Sequence, residues 1–477
     1  MKYREKLKEY RADMIKTLGE SVAFRSVASD AVRATGGEVL PFGRDNYESL
    51  RHMLTVGKEM GFDTCNAENY GGHIQFKGTD ADSDRKCFGI IAHLDVVPEG
   101  TGWDTKPYEM TEKDGCLYGR GVADDKGPAV ACLYAMKALK ESGIEPKMDI
   151  RLVLGLDEET GKAGMRRYIE LAGEPDLGFT PDAEFPLING EMGILIFDVV
   201  RKLNRQNGRE GLRLTRLEAG SAPNAVPGTA KAVLAGDTAV YDSIKESLAQ
   251  YILETGYDIR GRKQGSSYVI ETVGHAAHGA WPELGLNAIS IMMDFLGRIR
   301  FGNDELNEFI EFYNSCIGFD LHGERLGCAL EDDPSGKLIL NVGMANFSED
   351  LAQLTVNIRY PVTCTDTEVF EGIEEKLADS SIGIVKNMHD GPVFMDMDNP
   401  MVQQLIDTYR EATGDNEAMP VVIGGGTYAK MFKNVLAYGA MFPGEEDTMH
   451  QPNERLSLES FFSMAEIYAD AIYKICC

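Results

Sequence analysis

A chain of 477 residues exceeds what one hydrophobic core normally organises, so two or more domains are expected. Its 48 basic and 76 acidic side chains leave a formal net charge of −28, a surface that repels nucleic acid and anionic membranes and argues against both as partners. Hydrophobic residues at 43% and charged residues at 26% fit a soluble globular protein, and no uninterrupted apolar run is long enough to span a bilayer.

In chain order, residues 1–20 are highly charged and read as an amphipathic helix, with helical periodicity over 4–18. They contain no apolar signal core, and the nine cysteines show no Cys-x-x-Cys spacing, so a cytoplasmic protein with reduced thiols is expected. Helical periodicity returns at 47–60, followed by short strands such as 73–77. Residues 88–94 form an apolar strand, 127–142 a buried helix, 149–156 a second apolar strand and 165–172 a helix. Strands alternating with helices predict an α/β domain whose sheet is mixed and mainly parallel, with its site beyond the carboxyl ends of the strands.

From about 193 the pattern changes. Residues 211–219, 230–235, 338–345 and 351–360 alternate as in an antiparallel sheet, with helices at 287–300 and 304–314 and a polar loop at 206–209. Residues 400–413 (helix), 421–426, 435–441 (strand) and 458–475 (helix) return to the first pattern. The expected division is an α/β domain formed by 1–192 and 386–477, interrupted by an inserted α+β domain at 193–385.

Five short segments carry candidate chemistry. In Ile90-Ile91-Ala92-His93-Leu94-Asp95, residues two apart on a strand point to one side, so His93 could bind a metal while Asp95 holds its ring. Asp124 and Asp125 precede the buried helix. One acid would suffice as a cap, which leaves the other to explain. Asp157-Glu158-Glu159 follows a strand. Adjacent side chains diverge, so one glutamate could bind metal and the other handle a proton, or both could simply cap the next helix. Asp182 and His450, taken singly, read as a turn residue and a loop residue. Together these imidazole and carboxylate donors suit Zn²⁺, Mn²⁺ or Co²⁺ rather than a thiolate-bound metal.

The chain resembles the M20 metallopeptidases, and within them the dipeptidase V branch. The resemblance rests on His93-Leu94-Asp95-Val96-Val97-Pro98, Gly119-Arg120-Gly121, Asp124-Asp125-Lys126-Gly127-Pro128, Asp157-Glu158-Glu159, Pro181-Asp182-Ala183-Glu184 and Gly424-Gly425-Gly426-Thr427. It implies two divalent metals, Zn²⁺ first. One would be held by His93, Asp124 and Asp182, the other by Asp124, Glu159 and His450, with Asp124 bridging and the Asp124–Asp125 peptide cis. Glu158 is implied as general acid/base and Asp95 as the residue orienting His93. The interrupted domain would be the catalytic one and the inserted domain resembles the family's lid, in which His278 would stabilise the oxyanion, and Asn224, Arg359 and the backbone of Gly425 and Gly426 would hold the substrate's terminal carboxylate. Asp125 or a nearby acid would accept the free amine. The implied reaction is hydrolysis of a dipeptide. The alternatives are an N-acyl amino acid or diaminopimelate-type deacylase of the same family, or a metal-binding scaffold without catalysis, against which the spare Glu158 argues. A small peptide is the expected partner, and a monomer is expected, with a dimer as the alternative. His275 reads as a surface residue, and His52, His73, His322 and His389 as structural.

Overall fold

The computed structural model describes residues 1–79, 85–204, 211–378 and 380–477; the loop expected at 206–209 lies outside the described residues. The chain divides into two compact units. The first comprises Met1–Gly190, Val393–Val422 and Gly426–Cys477, and the second Glu191–Pro392 and Ile423–Gly425.

The first unit is built on a mixed sheet. At its centre Asp149–Gly155, Cys87–His93, Leu177–Thr180 and Val435–Ala437 run parallel in that order. Gly71–Phe76 and Asp63–Asn66 extend one side antiparallel, and Ile188 pairs antiparallel with Ala437 on the other. The central strands are apolar throughout because helices cover them. Ile90, Ile91, Ala92, Leu152, Val153 and Leu154 are all fully buried, the signature of a parallel sheet covered on both faces. Helix Lys126–Glu141 is buried around nearly its whole circumference and packs on Leu458–Cys476, Lys2–Glu9 and Arg11–Val22.

Two elements depart from their expected extent. The N-terminal helix turns at Tyr10, whose ring seats 5.8 Å from that of Tyr134 and whose hydroxyl bonds Glu141, so two helices replace one. The strand expected over 435–441 breaks at Gly439, which adopts a left-handed φ of 86°. A second piece, Ala440–Met441, leaves the main sheet to pair with Ala183–Glu184, and Ala183 N donates to Gly439 O at 2.6 Å.

The second unit carries an antiparallel sheet in the order Asp258–Gln264, Ser267–Val273, Thr229–Ala235, Arg213–Ala219, Ile339–Ser348, Leu351–Tyr360, Gly193–Lys202, Gly383–Asp390. Helices Thr238–Thr255, Ala288–Leu296, Asp304–Cys316 and Asp366–Leu377 contribute to its core. Asn287, Asn303 and Thr365 cap three of these helices through their side chains, and Thr365 forms a reciprocal capping box with Glu368. The helix expected over 287–300 stops at Leu296, where Gly297 follows. Strand Gly383–Asp390 carries the chain within this sheet through 385/386, where the sequence pattern places a domain edge.

Gly127 marks the tightest approach at the start of the buried helix. A Cβ there would lie 2.0 Å from the Val122 carbonyl oxygen and 2.9 Å from Leu456 Cδ2. Gly127→Ala should therefore destabilise the protein by about 1–3 kcal/mol, the cost of overpacking a filled core. A thermal or urea unfolding midpoint equal to that of the parent protein would contradict this packing.

Candidate metal centre

His93 closes strand Cys87–His93 at its carboxyl end and is buried. Its Nδ1 lies 3.0 Å from the Asp95 backbone oxygen and 3.4 Å from the Asp95 carboxylate, while Nε2 points at Asp124 Oδ1, 2.9 Å away. Asp95 therefore addresses the ring mainly through its main chain. Its carboxylate accepts the backbone N–H groups of Glu158 and Glu159 at 3.2 and 3.1 Å. The strand-end pair thus braces the loop that carries both glutamates.

Asp124 sits on the turn before helix Lys126–Glu141, and the Asp124–Asp125 peptide is cis. Neither aspartate caps that helix: Asp125 at the N-cap makes no capping bond, and Asp124 faces two imidazoles. Asp125 is fully buried and its Oδ2 accepts the His93 backbone N–H at 3.0 Å. The turn is held by Glu454, which the sequence reading passed over. Its carboxylate accepts the N–H groups of Gly121, Ala123 and Asp124 and pairs with the buried guanidinium of Arg120 at 2.7 Å. Arg120 also lies 5.3 Å from the Trp103 ring centre.

The acid triplet divides its labour. Asp157 serves helix Ala163–Ala172: its backbone oxygen accepts the N–H groups of Thr160, Gly161 and Lys162, and its Oδ2 that of Gly164 at 2.6 Å. Its Oδ1 accepts the buried Tyr428 hydroxyl at 3.0 Å. With the helix start satisfied by Asp157, Glu158 and Glu159 are left to other partners. Glu159 Oε1 lies 3.1 Å from His450 Nε2, and Glu158 Oε1 lies 3.0 Å from Lys162 Nζ.

Asp182 precedes the short pairing of Ala183–Glu184 with Ala440–Met441 and places Oδ2 3.7 Å from His93 Nε2. His450 stands on an exposed turn with a left-handed φ of 61°, yet its Nε2 reaches Asp124 Oδ2 at 2.9 Å. The five residues expected to bind metal therefore meet in one cluster, and one donor atom each of His93, Asp124 and Glu159 falls within 4.8 Å of the others.

The electrostatics describe a site with surplus negative charge. Burial alone would raise Asp124, but hydrogen bonds from His450 and His93 outweigh it and hold this carboxyl well below its usual range. Burial and the Asp124 charge push Glu159 up to about 7, and burial pushes Asp182 up to about 8. Glu158 is raised by burial against the opposing pull of Lys162. Hydrogen bonds to Asp124 and Glu159 push His450 up to about 11. Carboxyls whose ionisation is opposed by burial and by one another, beside imidazoles that they keep protonated, form a donor set that divalent cations fit: nitrogen and oxygen ligands whose full ionisation calls for a counter-charge.

Within the second unit, Ala225 pairs with His278, and Gly279 N donates to Asn224 O at 2.7 Å, so Asn224 and His278 stand side by side and exposed. Arg359 is buried on strand Leu351–Tyr360, and burial lowers it to about 10. Its Nη1 donates to Gly424 O at 2.8 Å, and a Cβ on Gly424 would lie 3.2 Å from that of Ala280. Gly424, Arg359 and the Asn224–His278 pair thus share one region of this unit, to which Gly425 also belongs, whereas Gly426 belongs to the first unit. His275 is exposed, with its backbone paired to Leu286. His73 meets Tyr168 Oη at 2.9 Å, His322 the Leu338 oxygen at 2.9 Å and His389 Tyr360 Oη at 2.8 Å, while the His52 ring centre lies 5.4 Å from that of Phe24.

Residues 89–474 match the model of a family described as peptidase family M20/M25/M40. A protein of Staphylococcus saprophyticus, provisionally named a dipeptidase, is 34% identical over 481 residues, covering 99% of each chain. One of Staphylococcus epidermidis, with the same provisional name, is 32% identical over 478 residues at the same coverage. Among solved structures, human carnosine dipeptidase 1 aligns over 99% of this chain and 98% of its own, with a TM-score of 0.54 and 16% identity. An M20 family metallo-carboxypeptidase of Sulfolobus solfataricus aligns over 96% and 98%, with a TM-score of 0.54 and 16% identity. At such identities the structural likeness speaks for the fold. No helix among the described residues is long and apolar enough to cross a membrane.

The raised carboxyls set a pH dependence. Glu159 and Asp182 hold their protons more tightly folded than unfolded, so their contribution to stability is complete below about pH 4 and is lost as pH rises through about 7 and 8. His450, raised to about 11, acts in the same direction from about pH 6.5 upward. Asp124, held low, acts the other way only below about pH 5 and adds no slope above it. Chelator-treated protein should therefore show a melting temperature that falls between about pH 4 and 8, and saturating Zn²⁺ or Mn²⁺ should flatten the fall. A flat profile in the treated protein would count against this charge balance.

Proposed function

The chain belongs to peptidase family M20/M25/M40, a family of metal-dependent hydrolases acting on peptide bonds, and from that premise we propose that it is a binuclear dipeptidase. The observation that carries the reading is Asp124, with one imidazole on each carboxylate oxygen and Glu159 sharing the second imidazole, while Glu158 stands next in sequence with a different partner. His93, Asp124 and Asp182 would hold one divalent cation, and Asp124, Glu159 and His450 the other, with Zn²⁺ ahead of Mn²⁺ or Co²⁺. Such cations, when bound, supply Lewis acidity to the peptide carbonyl and lower the pKa of a water from about 16 towards 7.

The protein's own groups do the rest. Asp95 holds the His93 ring and the backbone of both glutamates. Glu158 removes a proton from the attacking water as its oxygen bonds to the carbonyl carbon. It returns that proton to the leaving nitrogen as the C–N bond breaks. Its burial favours this role, because burial raises the carboxyl above its ordinary range and so strengthens it as a base. The family resemblance gives His278 the part of donor to the carbonyl oxygen as negative charge builds there. Arg359 and Asn224, with the backbone of Gly425 and Gly426, would receive the substrate's terminal carboxylate, for which a guanidinium fork is suited. The lowered Arg359 stays fully cationic near neutral pH. A cytoplasmic monomer is the form in which we expect the enzyme to act.

Chelation should abolish hydrolysis of dipeptides and added Zn²⁺ or Mn²⁺ should restore it. Glu158→Ala should lower kcat by roughly 10²–10⁴-fold, the usual contribution of a general base. Retention of full activity by that variant would sink the base assignment. Activity that survives complete removal of metal would sink the mechanism. Faster turnover of N-acyl amino acids lacking a free amine than of dipeptides would favour the deacylase reading instead.

A further inference from the structure

Asp124, Glu158, Glu159 and Asp182 all belong to one mostly buried group, with side chains 8, 12, 10 and 15% exposed. The proposed function gives three of them to cations and keeps Glu158 for protons. Their donor chemistry does not make that distinction, because every one offers the same oxygens to a hard or borderline cation. Glu158 and Glu159 even hang from one anchor, their N–H groups bonded to the two oxygens of Asp95. A spare carboxylate in such a place would tend to close on a metal, and a bound carboxylate is a poor base.

The two glutamates are separated by the cations they meet. Glu159 turns to His450, and Glu158 turns to Lys162, whose Nζ lies 3.0 Å from Oε1. Lys162 is well placed to hold it. Only 13% of its side chain is exposed, and Nζ also donates to the Thr427 oxygen at 2.8 Å, which fixes the head group from a second direction. Its backbone adopts a left-handed φ of 63°, and its N–H bonds to the Asp157 oxygen at 3.0 Å, closing the loop so that the lysine returns over the glutamate.

We propose that Lys162 is a positioning residue that reserves Glu158 for proton transfer by keeping its carboxylate off the metals. This rests on the reading of Glu158 as base and Glu159 as ligand. Without the ammonium group, Glu158 should become an extra metal ligand, so binding and turnover should move in opposite directions.

The test compares the full-length protein with Lys162→Met, Lys162→Arg, Glu158→Gln and the double variant Glu158→Gln/Lys162→Met. Zn²⁺ affinity is measured by competition with a chelating indicator, and kcat and KM with a dipeptide. Lys162→Met should bind Zn²⁺ roughly tenfold tighter and lose roughly tenfold in kcat at little-changed KM, the scale of one charge-assisted hydrogen bond. Lys162→Arg should stay near the parent in both. In the Glu158→Gln background the methionine should leave Zn²⁺ affinity unchanged, since no carboxylate is free to be recruited. Weaker Zn²⁺ binding in Lys162→Met, alongside a lower melting temperature, would reduce the lysine to a brace for the loop and overturn the proposal. Unchanged affinity would overturn it too. If the parent protein hydrolyses no dipeptide, the functional reading fails while the affinity measurements still decide the role of Lys162.

Discussion

One buried carboxylate, Asp124, takes an imidazole on each of its oxygens, and much of the first unit is organised around keeping it there. A charge removed from water is costly unless it is paired and hydrogen-bonded. The two histidines come from distant parts of the chain, one at the end of a central strand and one on an exposed turn. Their common geometry needs a tie between the two regions, and Glu454 supplies it. Four residues past His450, it binds the amides that carry Asp124, and Arg120 neutralises it from behind. The distance between the two imidazoles is thus set by a chain of backbone and side-chain bonds rather than by the candidate ligands themselves.

Charge in this protein therefore acts on two scales. The excess of acid over base lies mostly on the surface, where water screens it. Inside, several buried charges meet opposite ones: Arg120 meets Glu454, Lys162 meets Glu158, and His450 meets both Asp124 and Glu159. Lys126 is held differently, fully buried with its ammonium donating to the carbonyls of Ser21 and Phe24, and burial lowers it to about 7. It ties the N-terminal segment to the start of the central helix, next to the two aspartates.

The sequence disclosed what depends on local pattern. The apolar run ending at His93 and the buried helix after Asp125 were legible because each satisfies its backbone within one element or its neighbour. The grouping of five candidate ligands was legible through family motifs, and in no other way for Asp182 and His450, whose surroundings look like ordinary turns. What stayed hidden was the division of tasks among neighbouring acids. Nothing local says that Asp157 would serve the following helix, that the Asp95 carboxylate would bind two amides rather than mainly the ring beside it, or that Glu454 would hold a turn more than three hundred residues away in sequence. These are long-range pairings of side chain with backbone, and backbone groups leave no mark in a sequence. The break at Gly439 is of the same kind: a glycine inside a strand-like run signals an irregularity, but not that the second half pairs with the residues after Asp182.

The turn at His450 also limits what the centre could become. A left-handed backbone is readily adopted by asparagine, aspartate and histidine, and poorly by β-branched residues. Asn453, three positions on, has the same conformation with φ of 62°. A β-branched residue at either position would strain the turn, so the backbone that presents the His450 imidazole to Asp124 and Glu159 restricts which side chains could take its place.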